Sequence, residues 1–483
     1  MKTIIIGNGI IGLTTALRLA VDAKDGDKVV ILGKISRPNS ATKAAAAMLN
    51  SFCEIEADTF KSEIDITRFE MSYDASKMWH KFVLYYLESA LAHKHVLEEC
   101  ANCMGNNGAC FELGTYLINN CSADSLDDLN YNAVVKALND FYESYSEVDP
   151  AEIPNYYPQA RHRATKAIYI HNEGWLNPKL TLRQLDAAVL GYSCIEFIDE
   201  EVICINQEGS KITSVTLGNK QVIEGDQFLL SSGASVSSLI EKSNLTIKIP
   251  RIFNSVGVSV QIKSPGYPQT KTIRTPNRGL ACGLYSVPFY TSPKVLLNEL
   301  IIGSSSYVTP FDSEGPRIVA IQGLLTGAME QINTNFYKAE ITAINLGYRP
   351  ISADAYPVFG RTSLKNLIIC TGTKRDGFHL APLLSELLFK LIKGEEIDPK
   401  YDCFKPEREL IRNYSRKDAI DASVKHLMSA SYQHGFVPSF DSLNDKIKQM
   451  HREDLEKLHD KIGAYDWGIP PELLDLYRYG HIS

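Results

Sequence analysis

Long apolar runs are missing from this chain of 483 residues. No stretch approaches the ~18–20 apolar residues a membrane-spanning helix needs. Excess positive charge is missing too: 50 Lys+Arg stand against 57 Asp+Glu, a net charge of −7. Broad binding to nucleic acid or to an anionic membrane surface is therefore disfavoured. Ten cysteines are too dilute for a disulfide scaffold, so free thiols in a reducing cytoplasm are expected. There is no internal repeat and no low-complexity segment. Met1-Lys2 before Ile4-Ile5-Ile6 has the outline of an export signal. The glycines at 7, 9 and 12 and Arg18 inside the run argue against one.

What is present is ordinary globular material: 44% hydrophobic and 22% charged residues. The length is enough for about three domains. Lys2–Ile6 reads as a buried strand and is followed at once by Gly7-Asn8-Gly9-Ile10-Ile11-Gly12. Thr14–Ala23 has helical character, with Leu13, Leu17 and Ala20 on one face, and Val29–Leu32 reads as a second strand. This strand–GxGxxG–helix–strand order is the dinucleotide-binding fingerprint. Gly7 would make the tight turn, Gly9 would admit a pyrophosphate, and Gly12 would let helix and strand pack closely, with Ile10 and Ile11 opening the helix. The acidic residue that usually closes the second strand is absent; Gly33, Lys34 and Arg37 stand there instead. Ribose contact would fall to backbone or to these basic side chains, and NADP stays open.

Small residues recur at Ala41-Thr42-Lys43-Ala44-Ala45-Ala46-Ala47-Met48, where a backbone can pass close to a flat ring. Far downstream lie Gly347-Tyr348-Arg349-Pro350, Asp354, Gly360-Arg361, Leu367–Cys370, Gly372-Thr373-Lys374-Arg375-Asp376-Gly377 and Leu380-Ala381-Pro382. Weaker matches between them are Gly174–Pro178, Gly225–Ala234, Tyr285–Pro288 and Ile301–Gly303. In order and spacing these segments resemble the D-amino acid oxidase and glycine oxidase superfamily across residues 1–397.

The resemblance implies an α/β (α+β) fold. A Rossmann-like FAD-binding domain would carry an antiparallel-sheet substrate domain, as in the two-domain architecture of p-hydroxybenzoate hydroxylase. The FAD domain would comprise 1–60, 160–240 and 340–397, and the cap 61–159 and 241–339. Residues 398–483 would form a helical extension, with helices at Pro406–Tyr432, Ser442–Ile462 and Glu472–Tyr479; Met450, Leu455, Leu458 and Ile462 would share one side. The extension would be an added surface layer, or else a lid or oligomer contact.

By the same resemblance FAD is held non-covalently. The residues holding it would be Gly7, Gly9, Ile10, Ile11, Gly12, Lys34, Arg37, Ala45, Ala46, Ala47, Met48, Val202, Ser232, Gly233, Gly372, Arg375, Gly377, Phe378, His379 and Leu380. The substrate carboxylate would meet Arg349 and Arg375, because a guanidinium offers two parallel donors to a carboxylate. Tyr285 would line the pocket. The plainer alternatives stay open: Arg349 paired with Asp354, Arg375 on a solvated loop, Tyr285 packed in the cap.

The expected activity is oxidation of an amino acid or N-substituted amino acid by hydride transfer to flavin, with O2 as acceptor. A flavin dehydrogenase, or a tailoring enzyme for a pathway-specific secondary amine, is the alternative. A tRNA-modifying oxidoreductase would need a basic face, which the net charge of −7 speaks against. No nucleic-acid or membrane partner is expected, and a homo-oligomer stays open. Cys100, Cys103, Cys110 and Cys121 have a zinc-like look but no second CxxC pair and no His partner at finger spacing, so no metal is expected. Neither Cys282 nor Cys370 falls in a motif for covalent flavin.

Overall fold

A computed structural model describes the chain apart from residues 93–110, 121–123, 265, 267, 279–282, 290–297, 434–439 and 483. The zinc-like cysteines 100, 103, 110 and 121, and Cys282, lie outside the described residues.

The β-branched runs of the sequence fill the centre of a six-stranded sheet. Its order is Val358–Arg361, Leu367–Thr371, Gln227–Leu230, Lys2–Ile6, Lys28–Leu32, Ile195–Ile198. The five strands from Leu367–Thr371 onward pair in parallel, and Val358–Arg361 adds an antiparallel edge. Both faces are covered, as a parallel sheet requires. One face packs on the helices Ile10–Val21, Glu63–Ala92, Pro178–Leu190 and Ala381–Ile392, burying Leu13, Leu17, Trp79, Leu185, Leu384 and Leu388. The other face packs on a three-stranded sheet, Val202–Glu208, Lys211–Leu217 and Val222–Glu224, and on the helix Val236–Lys242.

The first helix begins four residues before the expected Thr14, because Gly9 is its N-cap. Pro178–Leu190 starts by ordinary capping chemistry: Asn177 Oδ1 accepts from the N–H groups of Lys179 and Leu180, and Pro178 fills the first position.

A nine-stranded, mostly antiparallel sheet forms the second body. In it Ile252–Lys263 pairs on one side with Glu340–Ser352 and on the other with Glu299–Thr309. The expected hairpin of Tyr285–Pro288 and Ile301–Gly303 is present, with Tyr285 opposite Gly303. The strands of the two sheets are interleaved along the chain. Met48–Leu49, Ala164–Leu176 and Glu340–Ser352 pair within the nine-stranded sheet. The helix Glu63–Ala92 buries Met71, Ala75, Trp79 and Phe82 against the six-stranded sheet's helices. Pairing partners on other strands, from Asn120 opposite Ala164 to Met48 opposite Trp175, decide these memberships, and no local period reports them.

The extension is integral to the fold. Helices Arg416–Gln433 and Asp441–Ile462 and the segment Pro471–Arg478 bury Ile420, Val424, Leu455, Leu458, Leu473 and Leu474 against Phe253, Ile351 and Ala353. Residues 406–415 are not helical as expected, because Asp354 ties them down: it pairs with Arg408 at 2.9 Å and accepts from the Ile411 N–H at 3.1 Å. Met450 faces solvent rather than the buried side. No described helix is long and apolar enough to cross a membrane.

Candidate cofactor and substrate site

A cavity of about 510 Å³ runs from the N-terminus of the helix Ile10–Val21 to the nine-stranded sheet. Its walls come from residues 6–11, 32–34, 37–42, 44–48, 201–203, 231–235, 257–259, 347–350, 370–371 and 373–379, with further single positions including Asn50, Glu54 and Tyr285.

At the helix end, Gly7 has φ +116°, and a Cβ there would lie 2.5 Å from the Ser231 carbonyl oxygen. A Cβ at Gly12 would lie 2.0 Å from the Gly7 oxygen, so helix and strand touch backbone to backbone. Gly12 consequently sits behind the cavity wall as a packing residue. Gly9 faces the cavity, and a Cβ there would meet only the Thr42 hydroxyl, at 3.3 Å. Thr42 Oγ1 accepts from the Ile10 N–H at 3.1 Å. No acidic side chain occupies the first turn. Helix-end N–H groups without a partner in their own helix favour an anion here.

At the end of the second strand, a Cβ on Gly33 would lie 2.8 Å from Asn8 Cγ. That crowding explains why no acidic side chain stands there. Lys34 and Arg37 both border the cavity, but their charges are engaged elsewhere. Lys34 Nζ pairs with Glu200 at 2.9 Å. Arg37 is buried, binds Asp186 through both terminal nitrogens and donates from Nε to the Asn8 carbonyl. Arg37 thereby braces the loop beside the cavity. Glu201, Val202 and Ile203 border this end as well.

Along the middle, Ala44–Met48 and Ser231–Ser235 form a low wall. Small side chains matter here, because Gly347 approaches so closely that a Cβ would lie 2.7 Å from the Ala44 Cβ. Ser232, Gly233, Gly377, Phe378 and His379 border the cavity. Gly372 and Leu380 do not: Gly372 turns the chain at φ +69°, and Leu380 is buried beside the second cavity described below. His379 Nε2 lies 2.8 Å from the Ser72 carbonyl oxygen, which fixes the Nε2–H tautomer. Burial lowers its pKa, so the ring is neutral. Burial also pushes the Cys370 thiol up to about 12.

The far end is set by charge. Arg349 stands opposite Ser255 in the sheet register, and its guanidinium lies across Gly257 on the neighbouring strand. A Cβ at Gly257 would be 2.6 Å from Arg349 Cζ. Among the described residues Arg349 has no ion-pair partner; Asp354, the candidate from sequence, is taken by Arg408. Arg375 borders the same cavity, but its Nε lies 2.8 Å from Glu54 and its Nη2 3.4 Å from Glu56. Glu54 also pairs with buried Arg274 at 2.8 Å. Burial works to raise the Glu54 carboxyl, and Arg375 and Arg274 overcome it, holding it at about 2. Tyr285 is buried, with its ring across Gly303, where a Cβ would lie 2.3 Å from the hydroxyl.

A second cavity of about 170 Å³ shares Glu54, Lys374, Arg375 and Asp376 with the first and is walled by the extension through Leu410–Tyr414 and Pro470–Glu472. Sequence reasoning missed Thr42, Glu54 and Glu472. Only Thr42 left a local signal, as the one hydroxyl in the alanine-rich stretch facing the glycine turn.

The residues fit a dinucleotide: an anion-ready helix end, a glycine facing the cavity, a low alanine wall for a flat ring. Comparison with known proteins agrees. The family described as FAD dependent oxidoreductase (DAO) matches residues 2–391. A glycine oxidase of Bacillus licheniformis is 23% identical over 412 residues, 84% of this chain and 97% of that one. A bifunctional protein ThiO/ThiG of Nostoc is 24% identical over 303 residues, 61% of this chain; the match spans 42% of that protein's length. The crystal structure of glycine oxidase from Geobacillus kaustophilus superposes with a TM-score of 0.67 at 19% identity, covering 85% of this chain and 99% of that one.

Proposed function

The chain belongs to the family of FAD-dependent oxidoreductases, and on that premise we propose that it oxidises the C–N bond of an α-amino acid or an N-substituted amino acid. The observation that carries this reading is Arg349: an arginine without an ion-pair partner among the described residues, laid flat over Gly257 at the end of the cavity. A guanidinium in that position offers two parallel donors to a carboxylate. A simple amine would give this half-buried guanidinium no partner.

FAD, when bound, supplies the hydride acceptor. The chain's own residues do the rest. The helix end at Gly9–Gly12 and the Ala44–Met48 wall would seat the cofactor without a covalent bond. Arg349 holds the substrate carboxylate and so fixes which carbon faces the ring. Tyr285, Met48 and Phe378 line the cavity with ring and thioether surface and limit water. Arg375 is spent on Glu54 and Glu56, so its part is to shape the loop beside the carboxylate. No side-chain base is required, because the amine enters neutral and its proton leaves with solvent after the hydride has moved. The imine is hydrolysed by water, and O2 accepts the electrons to give hydrogen peroxide. The 170 Å³ side cavity beside Arg375 favours a substrate with an arm longer than that of glycine, including a pathway-specific secondary amine.

Steady-state kinetics of Arg349→Ala test the reading. Loss of a charge-assisted contact at this half-buried arginine should cost about 1.5–3 kcal/mol in kcat/KM, with KM raised. Arg349→Lys should recover only part, since an ammonium lacks the planar fork. Unchanged kinetics in Arg349→Ala would refute the role.

A further inference from the structure

The loop Thr373–Gly377 carries three charged residues into the cavity wall: Lys374, Arg375 and Asp376. Lys374 is held in a left-handed conformation, φ +55°, and its N–H donates to the Pro350 carbonyl at 2.7 Å. This bond fastens the loop to the strand that bears Arg349. Lys374 and Arg349 then share the wall of the main cavity, and also of a smaller one of about 130 Å³. An ammonium so placed would attract the same carboxylate that Arg349 receives.

The structure blocks that competition with a residue from the extension. Glu472 places its carboxylate on Lys374 Nζ, with Oε1 at 2.5 Å. Two prolines precede Glu472 on one side, and buried Leu473 and Leu474 follow on the other, so its backbone is fixed to the core shared with Ile351. Burial alone would raise the Glu472 carboxyl; Lys374, then Arg375 and Arg68, pull it below its ordinary value, so it is ionised. The neighbouring cations are matched in the same way, Arg68 by Asp376 and Arg375 by Glu54 and Glu56.

We propose that Glu472 is a positioning residue of the extension that masks the charge of Lys374, leaving Arg349 as the single carboxylate anchor and selecting substrates with one carboxylate at that end. This rests on the reading of Arg349 as that anchor. It gives the extension a part in specificity rather than in surface cover alone.

The test is calorimetric binding of acetate and of malonate to the FAD-loaded protein. Wild type should bind the two within a few-fold of each other. Glu472→Gln unmasks the ammonium and should tighten malonate relative to acetate by at least ~tenfold, the size of a useful electrostatic contact. The double variant Glu472→Gln/Lys374→Gln should return to the wild-type ratio, a recovery that a merely structural role of Glu472 would not give. An unchanged ratio in flavin-loaded Glu472→Gln overturns the inference. So does a double variant that keeps the altered ratio. Should Glu472→Gln fail to fold, Lys374→Gln decides. A masked lysine predicts acetate affinity within about twofold of wild type, and a loss of ~tenfold or more refutes masking. Arg349→Ala separates the two proposals: acetate binding that survives it undoes the anchor itself, whatever Glu472 does.

Discussion

Replacing Gly257 with alanine perturbs Arg349 without touching it. The added Cβ would stand 2.6 Å from Arg349 Cζ and Nη2, whereas ordinary contact starts at 3.4 Å, so the guanidinium must retreat by about 0.8 Å. The far end of a flexible side chain yields cheaply, and Gly257 has no positive φ that alanine would strain. Alanine also narrows the unfolded ensemble, worth ~0.4–1 kcal/mol in favour of the fold. Stability should therefore hold or rise slightly. Catalysis should not, since a misplacement of about 1 Å can cost on the order of 10²-fold. We expect kcat/KM to fall ~10–100-fold, or about 1.4–2.7 kcal/mol of transition-state stabilisation. Steady-state kinetics beside a thermal melt and a flavin spectrum would measure all three. Wild-type kcat/KM in a folded, flavin-loaded Gly257→Ala would refute the argument that the position of Arg349 sets turnover.

Gly12→Ala should behave in the opposite way. Its Cβ would fall 2.0 Å from the Gly7 carbonyl, which is backbone and cannot retreat. Overpacking of this kind costs ~1–3 kcal/mol or more; a lowered melting temperature and loss of bound flavin are expected, and a yellow protein of unchanged Tm would contradict the packing. Acid should weaken the fold through Glu54. Its carboxyl lies at about 2 against an ordinary 4.5, so its contribution is present above 4.5 and is lost as pH falls toward 2. Melting temperatures from pH 7 to 3 should drop across the lower end, with a shallower drop in Glu54→Gln; parallel curves would show that the Glu54 pairing contributes nothing.

The parts of this molecule written in neighbouring residues were legible in its sequence. The glycine turn after Lys2–Ile6, the Val29–Leu32 strand, the Ala44–Met48 wall and the Tyr285–Gly303 hairpin all follow from spacing over a few residues. What was hidden is pairing at long range. Arg37 looked like a ribose or phosphate reader because Asp186, the residue that engages it, lies 149 positions away. Glu54 gave no signal, because its meaning comes from Arg274 and Arg375, each more than two hundred residues distant. The extension looked like an added layer because nothing near Glu472 reveals that Lys374 faces it. The membership of Ala164–Leu176 was lost for the same reason, since register is set by a partner strand and not by the strand's own composition.

The central claim is that a carboxylate held by Arg349 delivers a C–N bond to flavin. The most direct measurement is the visible spectrum of the purified, FAD-loaded protein during anaerobic titration with amino acids and N-alkyl amino acids, run beside Arg349→Ala. The account predicts bleaching of the flavin by a carboxylate-bearing amine, a much higher concentration needed for the same bleaching in Arg349→Ala, and hydrogen peroxide when air is readmitted. A flavin bleached equally well in both proteins, or bleached only by amines without a carboxylate, would contradict it.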